Sequence, residues 1–202
     1  MSEYERWETR YGTPEYTFGK TPNYFLASCK SLLPSAGRAL AVADGEGRNG
    51  VWLAEQGLDV TSIDFSPSAQ AKARTLAAER GVKVNFEQTD VHRWLYPADT
   101  FDVVAEIFTQ FSTPDERAVK WAGMRRALKS GGLLILQGYT PKQLQYGTGG
   151  PKQIENLYTR AILEGAFGDF HDVKFVEEER EMHEGAAHAG MSAVIGLTGR
   201  KS

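Results

Sequence analysis

Residues 39–54 read ALAVADGEGRNGVWLA. The apolar run Ala39–Ala43 has the continuous hydrophobicity of a strand buried on both faces. It enters a glycine turn, Asp44-Gly45-Glu46-Gly47, and an amphipathic segment leaves from Arg48. Gly45, Gly47 and Gly50 fit the G-x-G-x-x-G spacing of a nucleotide-binding turn, in which backbone approaches a ligand and a helix N-terminus presents unpaired N–H groups.

The same alternation continues outward. The spacing predicts a strand over 38–43 and a helix over 48–56, with Gly57 in the left-handed position that closes it. A second strand follows over 60–64. Ser66-Pro67 supplies an N-cap and a first-turn proline for an alanine-rich helix that Gly81 ends. Strands are expected over 84–89 and 102–108. Thr113-Pro114-Asp115-Glu116 is a capping box opening a helix to about Leu128. Lys129-Ser130-Gly131-Gly132 reads as a turn before a fifth strand over 133–138. Ile154, Leu157, Tyr158, Ala161 and Ile162 have helical spacing, so a helix is expected over 151–164. The last two strands, 172–181 and 192–200, have no helix between them and must be antiparallel neighbours. The expected fold is α/β: a Rossmann-like, doubly wound sheet of seven strands, mostly parallel with an antiparallel final strand.

Composition narrows the function. The chain has 202 residues, 41% hydrophobic and 24% charged, with a net charge of −3, which suits one globular domain and offers no overall attraction to nucleic acid or an anionic membrane. The basic cluster Lys120, Arg125, Arg126 and Lys129 falls on a helix as a solvated face. No apolar run reaches the roughly 18 residues of a membrane span. The start, MSEYERWETRYG, is charged and aromatic rather than signal-like, and Cys29 is the one cysteine. A cytoplasmic protein without disulfides is expected.

Two carboxylates accompany the glycine turn. Asp64 ends the second strand, nineteen residues after Gly45, where a carboxylate accepts ribose hydroxyls. Asp90, in Gln88-Thr89-Asp90-Val91, stands at the same sheet edge, placed to accept an adenine amino group lying against Val91 and Phe65. With the Leu128–Gly132 turn and the reversed last strand, these features resemble the class I S-adenosylmethionine-dependent methyltransferases over residues 38–201. Among these the arrangement is most similar to small-molecule enzymes of the tellurite-resistance and thiopurine methyltransferase type.

The resemblance implies S-adenosylmethionine as cofactor, with contacts at Ala43, Asp44, Gly45, Glu46 and Gly47 in the turn. It further implies Phe65 and Ser66 beside Asp64, Val91 and Trp94 beside Asp90, and Glu106 at the end of the fourth strand. The family usually has an acid where this chain has Ala41 and a glycine where it has Ala43. Asp44 or Glu46 is then expected to take the cofactor's ammonium group.

Residues 1–36 hold Trp7, Arg10, Tyr11, Tyr16, Phe18 and Tyr24, and are expected to form an aromatic cap segment on a methyltransferase domain spanning 37–202. Methyl transfer from a sulfonium needs alignment and exclusion of water more than a catalytic triad. The candidates for the acceptor side are Arg10 under the cap, Tyr139 and Tyr146 in the glycine-rich segment after the fifth strand, and His188 in the final hairpin. His183 and His188 have no metal-ligand spacing, so no metal is expected. The fourth strand ends Ala105-Glu106-Ile107-Phe108, not in the Asn/Asp-Pro-Pro-Tyr motif of amino-methylating nucleic-acid enzymes. The expected acceptor is a small nucleophile: a thiol, a selenium or tellurium oxyanion, or similar. Two rival readings are a non-catalytic binding protein on the same fold and an NAD-binding oxidoreductase. The second has its Tyr16–Lys20 pair ahead of the first strand, out of position.

Overall fold

The computed structural model describes residues 2–202. Seven strands form one sheet in the order β3-β2-β1-β4-β5-β7-β6. β1 (Arg38–Val42), β2 (Asp59–Asp64), β3 (Val84–Gln88), β4 (Phe101–Ile107) and β5 (Leu128–Tyr139) pair in parallel. β7 (Ala189–Arg200) runs antiparallel between β5 and β6 (His171–His183).

Alternate residues of the central strands feed two cores. On one face Leu40, Val42, Val104 and Leu134 pack with Trp121 and Met124 of α5 (Pro114–Ala127) and with Leu163 and Phe167 of α7 (Arg160–Phe167). On the other, Ala39, Val103, Ala105 and Ile135 meet Phe25 and Leu26 of α2 (Tyr24–Ser28) and Leu53 of α3 (Arg48–Glu55). Burial on both faces explains why β1 reads as a continuous apolar run.

Local signals act as expected at most boundaries. Ser66 Oγ accepts from Ala69 N–H at 3.0 Å and caps α4 (Pro67–Arg80), which Gly81 closes at φ 67°. Thr113 and Glu116 form the reciprocal box that opens α5. α1 (Glu3–Tyr11) begins with a second such box, made by Ser2 and Glu5.

Three expectations need correction, the first being Lys120, which is fully buried rather than part of a solvated basic face. The Lys129–Gly132 turn is part of β5: Gly131 N–H bonds Lys201 O at 2.8 Å and Lys201 N–H bonds Gly132 O at 3.0 Å, so the C-terminal residues hold these glycines in the sheet. The helix over 151–164 is instead a 3-10 turn at Ile154–Asn156, an extended link, and α7. In the link, Tyr158 N–H bonds Tyr139 O at 2.9 Å. Leu157 and Tyr158 enter different core clusters. Helical spacing there came from burial on two sides of an extended chain.

Candidate active site

The carboxyl ends of β1, β2, β4 and β5 open into a cavity of about 650 Å³, with α1 and the 149–156 segment among its walls. At its base, Asp44 Oδ2 accepts from Gly50 N–H at 3.0 Å and from the Ser62 hydroxyl at 2.9 Å. Asp44 Oδ1 is buried and has no partner. Burial raises this carboxyl to a pKa of about 7 despite those two donors, and the charge of Asp64 adds to the rise.

Asp64 accepts from Gly45 N–H through Oδ2 and from Ser66 N–H through Oδ1, both at 2.9 Å. Burial lifts it to about 6. Gly45 has φ 56°, and a Cβ there would lie 2.8 Å from the Tyr11 hydroxyl, so the turn admits α1 only because it has no side chain. Gly47 (φ 86°) lets α3 press on α4, since its Cβ would lie 2.6 Å from that of Ala73. Ala43 takes φ 49°, a left-handed conformation in a residue that has a Cβ.

Helix α1 is fastened beside Asp64. The Glu8 carboxylate accepts from the Ser66 hydroxyl at 2.5 Å and from the Ser68 hydroxyl, at the N-terminus of α4. Phe65 and Phe111 line the cavity with ring centroids 6.4 Å apart, and Trp7 of α1 stands 6.3 Å from Phe111.

Of the residues singled out in the sequence as cofactor or acceptor contacts, Ala43, Asp44, Gly45, Asp64, Phe65, Arg10, Tyr139 and His188 line this cavity, with Trp7, Tyr11 and Phe18 of the cap segment. The others point elsewhere. Glu46 is ion-paired with Lys72 at 2.8 Å, which leaves Asp44 alone as the free acid of the turn. Ser66 is spent on capping and on Glu8, and Gly47 on packing. Asp90 is half exposed and caps its own turn through His92 N–H at 2.9 Å. Val91 belongs to the core. Trp94 does not wall the cavity, because its Nε1–H donates to Glu87 at 2.9 Å while its ring meets Tyr96. Glu106 faces inward, bound to Lys120 at 2.8 Å, Trp121 Nε1–H at 3.0 Å and the Tyr158 hydroxyl at 3.0 Å. Tyr146 donates to Glu179 on the outside of the molecule.

Behind the wall that Arg48 and His188 give the cavity stand residues that no motif marked. Glu184, 7% exposed, has Arg48 Nη1 at 2.7 Å from its Oε2, while its Oε1 accepts from Tyr24 N–H at 3.0 Å and Asn23 Nδ2 at 3.1 Å. Asn23 also donates to Gln137 at 2.8 Å. Beside them His188 packs among Phe18, Phe108 and Tyr139, at centroid distances of 4.4, 4.5 and 5.7 Å. The Tyr139 hydroxyl, Asn156 Oδ1 and His188 Nδ1 are buried without hydrogen-bond partners. The residues that carry these atoms line one cavity with Asp44, whose Oδ1 is also without a partner, and polar side chains left unsatisfied around one space suit a polar occupant.

Among the described residues no cluster of His, Cys, Asp and Glu is placed to hold a metal ion, and no helix is long and apolar enough to cross a membrane.

Comparison with known proteins gives the same reading of the fold. Residues 39–132 match the family described as methyltransferase domain. Demethylmenaquinone methyltransferase of Deinococcus radiodurans is 32% identical over 117 residues, covering 57% of this chain and 48% of that one. Phosphatidylethanolamine N-methyltransferase of Cereibacter sphaeroides is 30% identical over 139 residues, 66% of this chain and 64% of that one. The chain thus spans about half the length of the first of these relatives. Among solved structures, TehB from Haemophilus influenzae superposes with a TM-score of 0.72 at 14% identity, over 98% of this chain and 67% of that one. A SAM-dependent methyltransferase from Methanosarcina mazei does so at 0.72 and 20% identity, over 89% of this chain and 98% of that one. Residues 39–132 thus match a methyltransferase domain, and the chain has the seven-stranded α/β fold of the methyltransferases of known structure to which it is similar.

Proposed function

We propose that this protein transfers a methyl group from S-adenosylmethionine to a small-molecule nucleophile. The observation that carries the reading is the cavity itself, with open acidic groups at one end and unpaired polar groups at the other. Asp44 Oδ1, a buried acceptor without a donor, is the counterpart of the cofactor's ammonium group. Asp64, held by two backbone N–H groups beside the turn, is the counterpart of a ribose diol, and Phe65 and Phe111 offer apolar surface for a base. When bound, the cofactor supplies a methyl group already activated by its attachment to sulfonium sulfur.

The protein's own residues do the rest. Trp7, Tyr11 and Phe18 wall the cavity from the N-terminal side and exclude water. Arg10, 5.0 Å over the Trp7 ring, marks an entry suited to a polar acceptor. We assign residues 1–36 as the cap and 37–202 as the domain that binds cofactor, in a cytoplasmic protein that takes a small acceptor rather than nucleic acid. A thiol or a selenium or tellurium oxyanion, small enough for this cavity, is the acceptor class we assign.

Calorimetric titration with S-adenosylmethionine, S-adenosylhomocysteine and NAD tests the cofactor. Binding of the first two alone, followed by transfer of labelled methyl to a panel of thiols and oxyanions, is the expected result. Binding of NAD alone overturns the reading, and absence of all binding returns the chain to a non-catalytic role.

A further inference from the structure

The turn at the tip of the β6–β7 hairpin carries an acid and a histidine four residues apart, closed by a 2.9 Å bond from Glu184 N–H to His188 O. His188 Nδ1 is buried, faces Glu184 Oε2 at 4.0 Å, and has no other partner. The imidazole also lines the cavity. With Nδ1 turned to the carboxylate, Nε2 is the ring nitrogen left for a ligand. Phe18, Phe108 and Tyr139 fix the plane of the ring, and Arg48, Asn23 and the Tyr24 N–H fix the carboxylate. A carboxylate held by others, 4.0 Å from one nitrogen of an imidazole that lines the cavity, resembles the arrangement of a positioned proton acceptor.

We propose that Glu184 and His188 act as a pair that deprotonates the methyl acceptor at His188 Nε2, and that the acceptor is therefore a weak acid that arrives protonated, with an O–H or S–H group as its nucleophile. The proposal rests on the methyltransferase reading above. In the step, the acceptor's O–H or S–H bond breaks and an Nε2–H bond forms. The electron pair stays on the acceptor atom, which attacks with it, and the proton leaves to water once the product has gone.

The charges around the ring agree with this. Burial, with Arg48 and Arg10 nearby, holds His188 below the ordinary histidine range against the pull of Glu184, so the imidazole is neutral and able to accept at pH 7. Glu184 stays ionised, lowered to about 2 by its donors and Arg48 although burial opposes this. Tyr139, also facing the ring, is raised by burial and remains a neutral phenol.

The first test needs no acceptor. Long-range nitrogen–proton NMR of the full chain at pH 7.5 reads the tautomer of His188. The expected result is a proton on Nδ1 and none on Nε2; a proton on Nε2 overturns the proposal. Glu184→Gln is expected to give mixed tautomers, and an unchanged tautomer removes Glu184 from the pair. Should that variant fail to fold, His188→Gln carries the test through kinetics.

An alkanethiol and catechol, both mostly protonated at neutral pH, are compared with 4-nitrothiophenol, mostly ionised. His188→Gln is expected to slow the protonated probes by about 100-fold or more, in the range of general-base catalysis, and 4-nitrothiophenol far less. Loss on the thiol arm alone, or on the catechol arm alone, identifies the acceptor atom. Equal losses on ionised and protonated probes make His188 structural. S-adenosylmethionine binding by the same proteins is measured separately, so failure of the cofactor reading is distinguishable from failure of the pair.

Discussion

Lys120 Nζ stands 2.8 Å from Glu106 Oε1, with neither side chain more than 1% exposed. The pair is cross-linked to the loop beside the cavity, since Lys120 also donates to Thr109 O at 2.9 Å. Breaking it from one side leaves a buried charge unpaired. Glu106→Gln is expected to destabilise the protein by about 3–5 kcal/mol. The double variant Glu106→Gln/Lys120→Met should recover part of that loss. Urea unfolding of the two checks this, and a double variant as unstable as the single would show that the charge is not the cause.

Asp64 joins the turn to α4 through its two backbone donors. Asp64→Ala removes the candidate diol acceptor and leaves both N–H groups open. S-adenosylmethionine affinity should fall at least 100-fold, on the order of two charge-assisted hydrogen bonds at about 1.5–3 kcal/mol each. Calorimetry with unchanged affinity would sink the assignment.

The buried acids make binding depend on pH. In the free protein Asp44 and Asp64 titrate near 7 and 6, both raised by burial. An unfolded aspartate ionises near 3.9. Between those values the folded chain keeps protons that the unfolded chain has lost, so the contribution of these residues to stability is largest in acid and is lost as pH rises through 7. An ammonium group needs the ionised form of Asp44. Cofactor affinity is therefore expected to rise by about tenfold between pH 6 and 8 and then level off. Binding at pH 6.5 should release a proton, visible as a heat that varies with the buffer's ionisation enthalpy. A flat pH profile with no proton release would contradict the role given to Asp44.

Ala43 sits at φ 49°, where a Cβ crowds the following carbonyl. Ala43→Gly should raise stability by about 1 kcal/mol, less the extra entropy of glycine in the unfolded chain. Thermal unfolding reads the sign, and a lowered midpoint would mean that the methyl group contributes packing that outweighs its strain.

Most of the sheet was legible in the sequence because helices follow β1, β2 and β4, and caps such as Ser66, Thr113 and Gly81 are local signals. The Asp44–Asp64 end of the cavity was legible for the same reason: a turn and the end of the neighbouring strand must meet in a parallel sheet. Glu46 could not be separated from Asp44 by sequence, since both acids flank Gly45 and only Lys72 on α4 decides which one is taken. The Glu184 end was not legible. Asn23, Arg48, Gln137 and Glu184 come from four elements, and nothing in their spacing announces that they meet. The link at Leu157–Tyr158 misled because burial on two sides imitates a helical period.

The bond from Asn23 to Glu184 spans 161 positions, and Ala187 N–H closes a similar distance to Thr17 O at 3.2 Å. Contacts of such separation form late, because the chain between them must first be ordered. In refolding, the sheet is therefore expected to recover before the far wall of the cavity does. The circular dichroism signal should return ahead of ligand affinity, and a protein trapped between the two would look folded yet have nowhere to hold an acceptor.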